Sequence, residues 1–173
     1  MEIKLLSENI RDIFDFPKKG IIYKDITPLL QDKNLFRYSI KLLIKKLDNL
    51  KIDYICGIES RGFIFGSAIA HKLGIGFVPV RKKGKLPSNT YSQEYELEYG
   101  TNILEIHTDA FHPGSNVVII DDLLATGGTA NAAAKLVEKC GSNIVKILFL
   151  VELSFLNGKK NLNGYSIDAV ISF

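Results

Sequence analysis

The sequence predicts an α/β fold, a mainly parallel twisted sheet flanked by helices, on three observations. Val117-Val118-Ile119-Ile120 is a run of four β-branched residues, the pattern of a strand buried on both faces. Apolar stretches at 52–58, 77–80, 102–107, 144–152 and 168–173 repeat the strand signal. Helical patterns over 34–50, 63–73 and 130–140 alternate with them. Such alternation implies parallel strands joined by crossover helices that cover both faces.

The 173 residues fit one domain, and 46% apolar with 24% charged residues is the balance of an ordinary globular protein. A formal charge of +3 is too small to argue for a nucleic-acid partner. Cys56 and Cys140 lie far apart without metal-ligand spacing, which fits inert thiols in a reducing compartment. His71, His107 and His112 are scattered, and none is assigned to a metal or to catalysis. Met1 to Ser7 lacks the apolar core of a signal peptide, and no run approaches a membrane span. The expectation is a cytoplasmic protein with no membrane partner.

In chain order, Ile3, Leu6, Ile10, Ile13 and Phe14 have helical spacing, predicting a helix over 3–14 that ends before Phe16-Pro17. Phe16 to Pro28 is punctuated by Pro17, Gly20 and Thr27-Pro28, and reads as an irregular loop. Phe36, Ile40, Leu43, Ile44, Leu47 and Leu50 form one face of a core-packing helix, with Lys41, Lys45 and Lys46 largely opposite. The strand 52–58 runs into Glu59-Ser60-Arg61-Gly62. An arginine at the C-terminal end of a strand can fork onto a phosphate, or simply pair with a carboxylate. Arg81 to Pro87 is strongly basic: a solvated loop, a nucleic-acid contact, or a grip on a diphosphate beside a phosphate site. Ser88 to Gly100 is polar, aromatic and long for a connection, as lids often are. Within it Glu94, Glu96 and Glu98 alternate as on the wet side of a strand.

After Val117–Ile120, Asp121 and Asp122 stand where the strand should end. Thr126-Gly127-Gly128-Thr129 then leads into an Ala-rich helix. Ligands of open α/β sheets bind at the carboxyl ends of the strands. A helix start there offers free N–H groups and the positive end of the helix dipole, which suits a phosphate. Glycines admit the anion closely, and the adjacent acids could hold sugar hydroxyls or a hydrated metal ion. The residues alone suggest a site for a phosphorylated sugar. No Gly-Lys-Ser/Thr follows the glycines, so a P-loop is a poorer match.

Asp121-Asp122-Leu123-Leu124-Ala125-Thr126-Gly127-Gly128-Thr129 resembles the phosphoribosyl-diphosphate (PRPP) binding motif of the type I phosphoribosyltransferases, in the form found in members that act on adenine. With Phe16–Pro28, Glu59–Gly62 and Leu97–Gly100, the resemblance covers nearly the whole chain. It implies a single domain over 1–173, with a small hood formed largely by the N-terminal segment and a flexible lid loop. It also implies transfer of 5-phosphoribosyl from PRPP to adenine, giving AMP and pyrophosphate, with Mg²⁺ held mainly through PRPP oxygens and water, in a homodimer.

The same resemblance distributes roles. Ala125, Thr126, Gly127, Gly128 and Thr129 would anchor the 5′-phosphate, and Asp121 and Asp122 the ribose. Glu98 would be the general acid/base on the purine. Glu59, Ser60, Arg61, Arg81 and Lys85 would hold the pyrophosphate, with a cis peptide between Glu59 and Ser60. Tyr23 would stack on adenine, the backbone of Ile22 and Lys24 would read its edge, and Leu123 would cover its other face. Family members often carry Pro where Lys19 stands and Phe where Tyr23 stands; neither change removes the stacking face. The alternatives are a transferase for hypoxanthine or xanthine, a PRPP- or nucleotide-sensing regulator on the same fold, and RNA binding through Arg81–Lys85.

Overall fold

The structure is a computed structural model and describes residues 3–96 and 100–173. Its centre is a seven-stranded sheet. In chain order the elements are α1 (Ile3–Glu8), β1 (Arg11–Phe14), β2 (Ile22–Asp25), α2 (Thr27–Gln31), α3 (Lys33–Lys45), β3 (Tyr54–Ile58) and α4 (Arg61–Leu73). β4 (Gly76–Lys82), β5 (Thr90–Glu96), β6 (Thr101–His107), β7 (Asn116–Leu124), α5 (Gly128–Lys139), β8 (Asn143–Glu152) and β9 (Ile167–Ser172) follow. Two 3₁₀ turns, Ser154–Leu156 and Gly158–Leu162, join β8 to β9.

The strand order is β5-β6-β4-β3-β7-β8-β9. β4, β3, β7, β8 and β9 are parallel, and β5–β6 is an antiparallel hairpin added at the β4 edge. β7 lies between β3 and β8, which explains its apolar run. Val118 and Ile120 face one core with Phe65, Ile69 and Leu43 of α3 and α4. Val117 and Ile119 face the other, against Ala133, Leu136 and Val137 of α5. All four are completely buried. The sheet is therefore covered on both sides, as expected. Among the described residues no helix is long and apolar enough to cross a membrane.

Three expected elements differ. The helix over 3–14 ends at Glu8, and Arg11–Phe14 is instead a strand paired antiparallel with β2. Cross-strand charges fix that register: Arg11 opposes Asp25 and Asp12 opposes Lys24, with ion pairs of 2.6 Å each. The irregular loop at 16–28 accordingly contains β2 and the start of α2, whose first turn accommodates Pro28. The helix over 34–50 stops at Lys45, because the chain turns at Asn49 (φ +64°), although Leu47 remains buried. Much of the expected lid, 90–96, is regular strand. Cys56 is buried and Cys140 half-buried, both as free thiols, and burial raises both above the usual thiol range.

Candidate active site

At the carboxyl edge of the parallel strands, two strand–loop–helix units and Tyr23 of β2 line a cleft of about 510 Å³. The first unit joins β7 to α5. Asp121 and Asp122 stand inside β7, not at its end, because β8 continues the pairing to Leu124↔Glu152. Gly127, at φ +86°, precedes the first turn of α5, and no side chain caps that helix. Its leading N–H groups thus lack intrahelical partners and a side-chain cap.

The loop is held from behind. Asn161 Nδ2 donates to the Thr126 carbonyl at 2.7 Å, and Asn131 Nδ2 donates to the Asn161 carbonyl at 2.6 Å. A side chain at Gly127 would begin 2.4 Å from the Gly158 carbonyl oxygen, and one at Gly158 would begin 2.2 Å from that of Ala125. Sequence reasoning missed Asn131, Gly158 and Asn161. The glycine ahead of the polar Lys159-Lys160-Asn161 run was the available signal.

The second unit joins β3 to α4 through a cis Glu59–Ser60 peptide, the bond that the family resemblance implies. It delivers Arg61. Arg61 Nε lies 2.9 Å from Asp122 Oδ2, and a terminal guanidinium nitrogen donates to the Tyr23 hydroxyl. Asp122 is buried, and its Oδ2 makes no hydrogen bond of good geometry among the described residues; the arginine beside it is its compensating charge. The Asp122 amide donates to Asp121 Oδ1 at 2.9 Å. Burial, then the neighbouring Asp122 charge, raises Asp121 well above the usual carboxylate range. Burial also raises Asp122, with Arg61 the main opposing influence.

Glu59 faces the other way along the loop. Its Oε2 accepts from the Lys82 amide at 3.0 Å and from Arg81 Nε at 3.2 Å. Burial alone would raise this carboxyl, but these donors and charges bring it below the usual range. Arg81 also donates to the Lys85 carbonyl at 3.1 Å.

The cleft thus gathers most of the anticipated residues. Tyr23, Glu59, Ser60, Arg61, Asp121, Asp122, Leu123 and the loop residues Ala125, Thr126, Gly127 and Thr129 all line it. Gly128 lines an adjoining groove between β5 and α5. Ile22 and Lys24 flank Tyr23 in β2, but the Lys24 side chain is engaged elsewhere, with Asp12 and over the Phe173 ring at 4.0 Å. Arg81 and Lys85 are not among the lining residues, and Arg81 is paired with Glu59. Lys82, Tyr95 and Asn102 do line the cleft and were not singled out in the sequence. Lys82 was concealed within the basic run. Glu98 lies outside the described residues.

Among the described residues no three His, Cys, Asp or Glu side chains gather as a metal cage. The Asp121–Asp122 oxygens offer only hard donors. They suit a cation such as Mg²⁺ that keeps most of its shell from ligand oxygens and water.

The profile of the phosphoribosyl transferase domain matches residues 25–168. The adenine phosphoribosyltransferase of Thermoanaerobacter sp. strain X514 is 59% identical over 172 residues, covering 99% of this chain and 98% of the relative. That of Caldanaerobacter subterraneus subsp. tengcongensis is 58% identical over the full length of both. The crystal structure of adenine phosphoribosyltransferase from Thermoanaerobacter pseudethanolicus superimposes with a TM-score of 0.97 at 57% identity, covering 99% of this chain and 100% of that one. The Saccharomyces cerevisiae enzyme, crystallised with an imino-altritol bisphosphate and adenine, gives 0.91 at 42% identity, with 97% of each chain covered. On sequence, profile and fold together, the chain belongs to the phosphoribosyl transferase family and, within it, to the adenine phosphoribosyltransferases.

Proposed function

We infer that the chain transfers the 5-phosphoribosyl group of PRPP to adenine, giving AMP and pyrophosphate, as a step of purine salvage. The observation that carries this reading is convergence. One cleft is lined by an uncapped helix start, a carboxylate pair, an aromatic ring and a leucine. These match the phosphate, the sugar and the flat base of a single nucleotide.

In the forward reaction the bond from adenine N9 to ribose C1 forms as the bond from C1 to the pyrophosphate oxygen breaks. Positive charge accumulates on the sugar between these events. The Ala125–Thr129 loop holds the 5′-phosphate through main-chain N–H groups and fixes where C1 lies. Asp121 and Asp122 bind the ribose hydroxyls and place negative charge beside the cationic sugar; Arg61 opposes the burial that would neutralise Asp122. Ser60 and Arg61 meet the diphosphate, with Lys82 across the cleft as a further cation. Tyr23 and Leu123 sandwich the base while the backbone of Ile22 and Lys24 reads its edge. Glu98 exchanges a proton with the purine at N7. Mg²⁺, held mainly by PRPP oxygens and water with Asp121 and Asp122 nearby, would supply positive charge to offset the charge of the pyrophosphate.

We place the reaction in the cytoplasm, where free thiols such as Cys56 and Cys140 stay reduced. Neither Arg81 nor Lys85 lines the cleft of its own chain, and we assign them to a homodimer in which that loop lies at the subunit boundary. A dimer mass by light scattering is the expected result.

The direct test is pyrophosphate release with PRPP and Mg²⁺, offering adenine, hypoxanthine, guanine and xanthine separately. Turnover with adenine alone is expected. Turnover with another base would keep the chemistry and discard the base pocket. Binding of PRPP without turnover on any base would point to a sensor.

A further inference from the structure

Arg61 is shared by two parts of the cleft that serve different halves of the reaction. Its Nε approaches Asp122, on the sugar side, at 2.9 Å. A terminal nitrogen of the same guanidinium donates to the Tyr23 hydroxyl, on the base side, with the guanidinium carbon 5.2 Å from the Tyr23 ring centroid. The Tyr23 ring is steadied elsewhere by the edge of Phe16, 5.2 Å away at 77°. Asp122 Oδ2 is buried without a well-aligned hydrogen bond among the described residues, so the placement of Arg61 governs its charge. Stacking on a base needs only the face of the ring. A phenylalanine would supply that face, and stacking leaves the hydroxyl unexplained.

We propose that the Tyr23 hydroxyl is a positioning group that, through Arg61, couples occupation of the base seat to occupation of the sugar seat. This rests on the reading of the cleft as an adenine and PRPP site. A base lying against Tyr23 fixes the tilt of the ring and with it the hydroxyl. The hydroxyl holds one arm of a rigid, planar guanidinium, and the other edge of that plane then keeps its place beside Asp122. Asp122 is thereby held in orientation for the ribose hydroxyls. Coupling of this kind is reciprocal: a ribose phosphate engaging Asp122 orders Tyr23 for the base by the same factor.

The test is titration calorimetry of adenine into the full chain, with and without saturating ribose 5-phosphate. That sugar phosphate lacks the leaving diphosphate, so the pair stays at equilibrium. The readout is the ratio of the two adenine dissociation constants, not either one alone. Ribose 5-phosphate should tighten adenine about tenfold in the wild type and less than about twofold in Tyr23→Phe, within the usual range of site-to-site coupling. Arg61→Lys, which keeps the charge and loses the fork, should show the same loss. The double variant should lose no more than either single one, as members of one chain of contacts do. A merely structural role for the hydroxyl would weaken both affinities and leave the ratio near tenfold, and that result would overturn the proposal. Adenine binding with equal ratios in wild type and Tyr23→Phe would refute the coupling alone. Failure of adenine to bind the wild type at all would bring down the parent reading, and the coupling with it.

Discussion

The two strand–loop–helix units beside each other in the sheet turn from strand to helix by different backbone routes and to different ends. β3 passes to α4 within two residues, and Gly62 is pressed so closely on β7 that a Cβ there would lie 2.6 Å from the Ile120 carbonyl oxygen. That tight crossing delivers a charged side chain, Arg61. β7 passes to α5 through three residues, with Gly127 in the left-handed region, and delivers main-chain N–H groups. One unit recognises by side-chain charge and the other by backbone shape. Replacing a side chain should therefore alter chemistry at Arg61 and the carboxylates it faces, whereas the 125–129 loop of the second unit should be damaged mainly by a change of backbone.

The largest effect is expected where the two units meet. Asp122→Asn removes the charge that Arg61 faces, and kcat/KM should fall by about 10²–10³-fold, the scale for a lost electrostatic contact to a developing charge. Circular dichroism should show the fold intact; unchanged kinetics would remove Asp122 from the mechanism. Gly127→Ala should come next. It forces a Cβ at φ +86° into the Gly158 carbonyl oxygen, and the melting temperature should drop by about 5 °C or more, with a higher KM for PRPP. Thr126→Ala in the same loop leaves the backbone alone. Its KM for PRPP should rise only about threefold and its melting temperature should hardly move. Equal damage from the two loop variants would break the distinction between shape and side chain.

Asp121→Asn separates stability from function. Burial raises the folded pKa of Asp121, so its protonated form favours folding. That contribution is complete below the unfolded value near ~3.9 and is lost as pH rises through the folded one. Above it the ionised group destabilises, so the asparagine variant should melt higher at neutral pH while turning over more slowly. A lower melting temperature would contradict the burial argument. The smallest effect belongs to the hood. The hydroxyl and amide of Thr27, then Arg11, lower Asp25 to about 2. Its stabilisation is present above the unfolded value near ~3.9 and lost as pH falls from there to about 2, so Asp25→Asn should flatten the acid limb of a melting curve in that window.

These contrasts also explain how far the sequence could be read. β7 and α5 were legible because burial on two faces and an alanine-rich helix leave periodic patterns. The loop between them was legible because its chemistry resides in small residues at fixed spacing. The hood was not. Ile3, Leu6, Ile10, Ile13 and Phe14 fit a helical period, yet Phe14 is 70% exposed and the segment 11–14 is held by pairing to residues 22–25. A two-stranded ribbon with little burial imposes no apolar pattern. Its signal lay in charge complementarity, Arg11-Asp12 against Lys24-Asp25, which periodicity does not detect. The backing of the phosphate loop by Gly158 and Asn161 was hidden for a different reason. It depends on close approach between segments more than thirty residues apart. The link from Arg61 to Tyr23 and Asp122 is likewise tertiary, although each of the three residues was singled out separately.

The most direct measurement is a crystal structure of the chain with AMP bound. The phosphate is expected against the main-chain N–H groups of residues 126–129, the ribose hydroxyls on Asp121 and Asp122, and adenine between Tyr23 and Leu123. A phosphate seated on Arg61 or Arg81 instead, with the base away from Tyr23, would contradict the assignment of backbone recognition to one unit and side-chain recognition to the other.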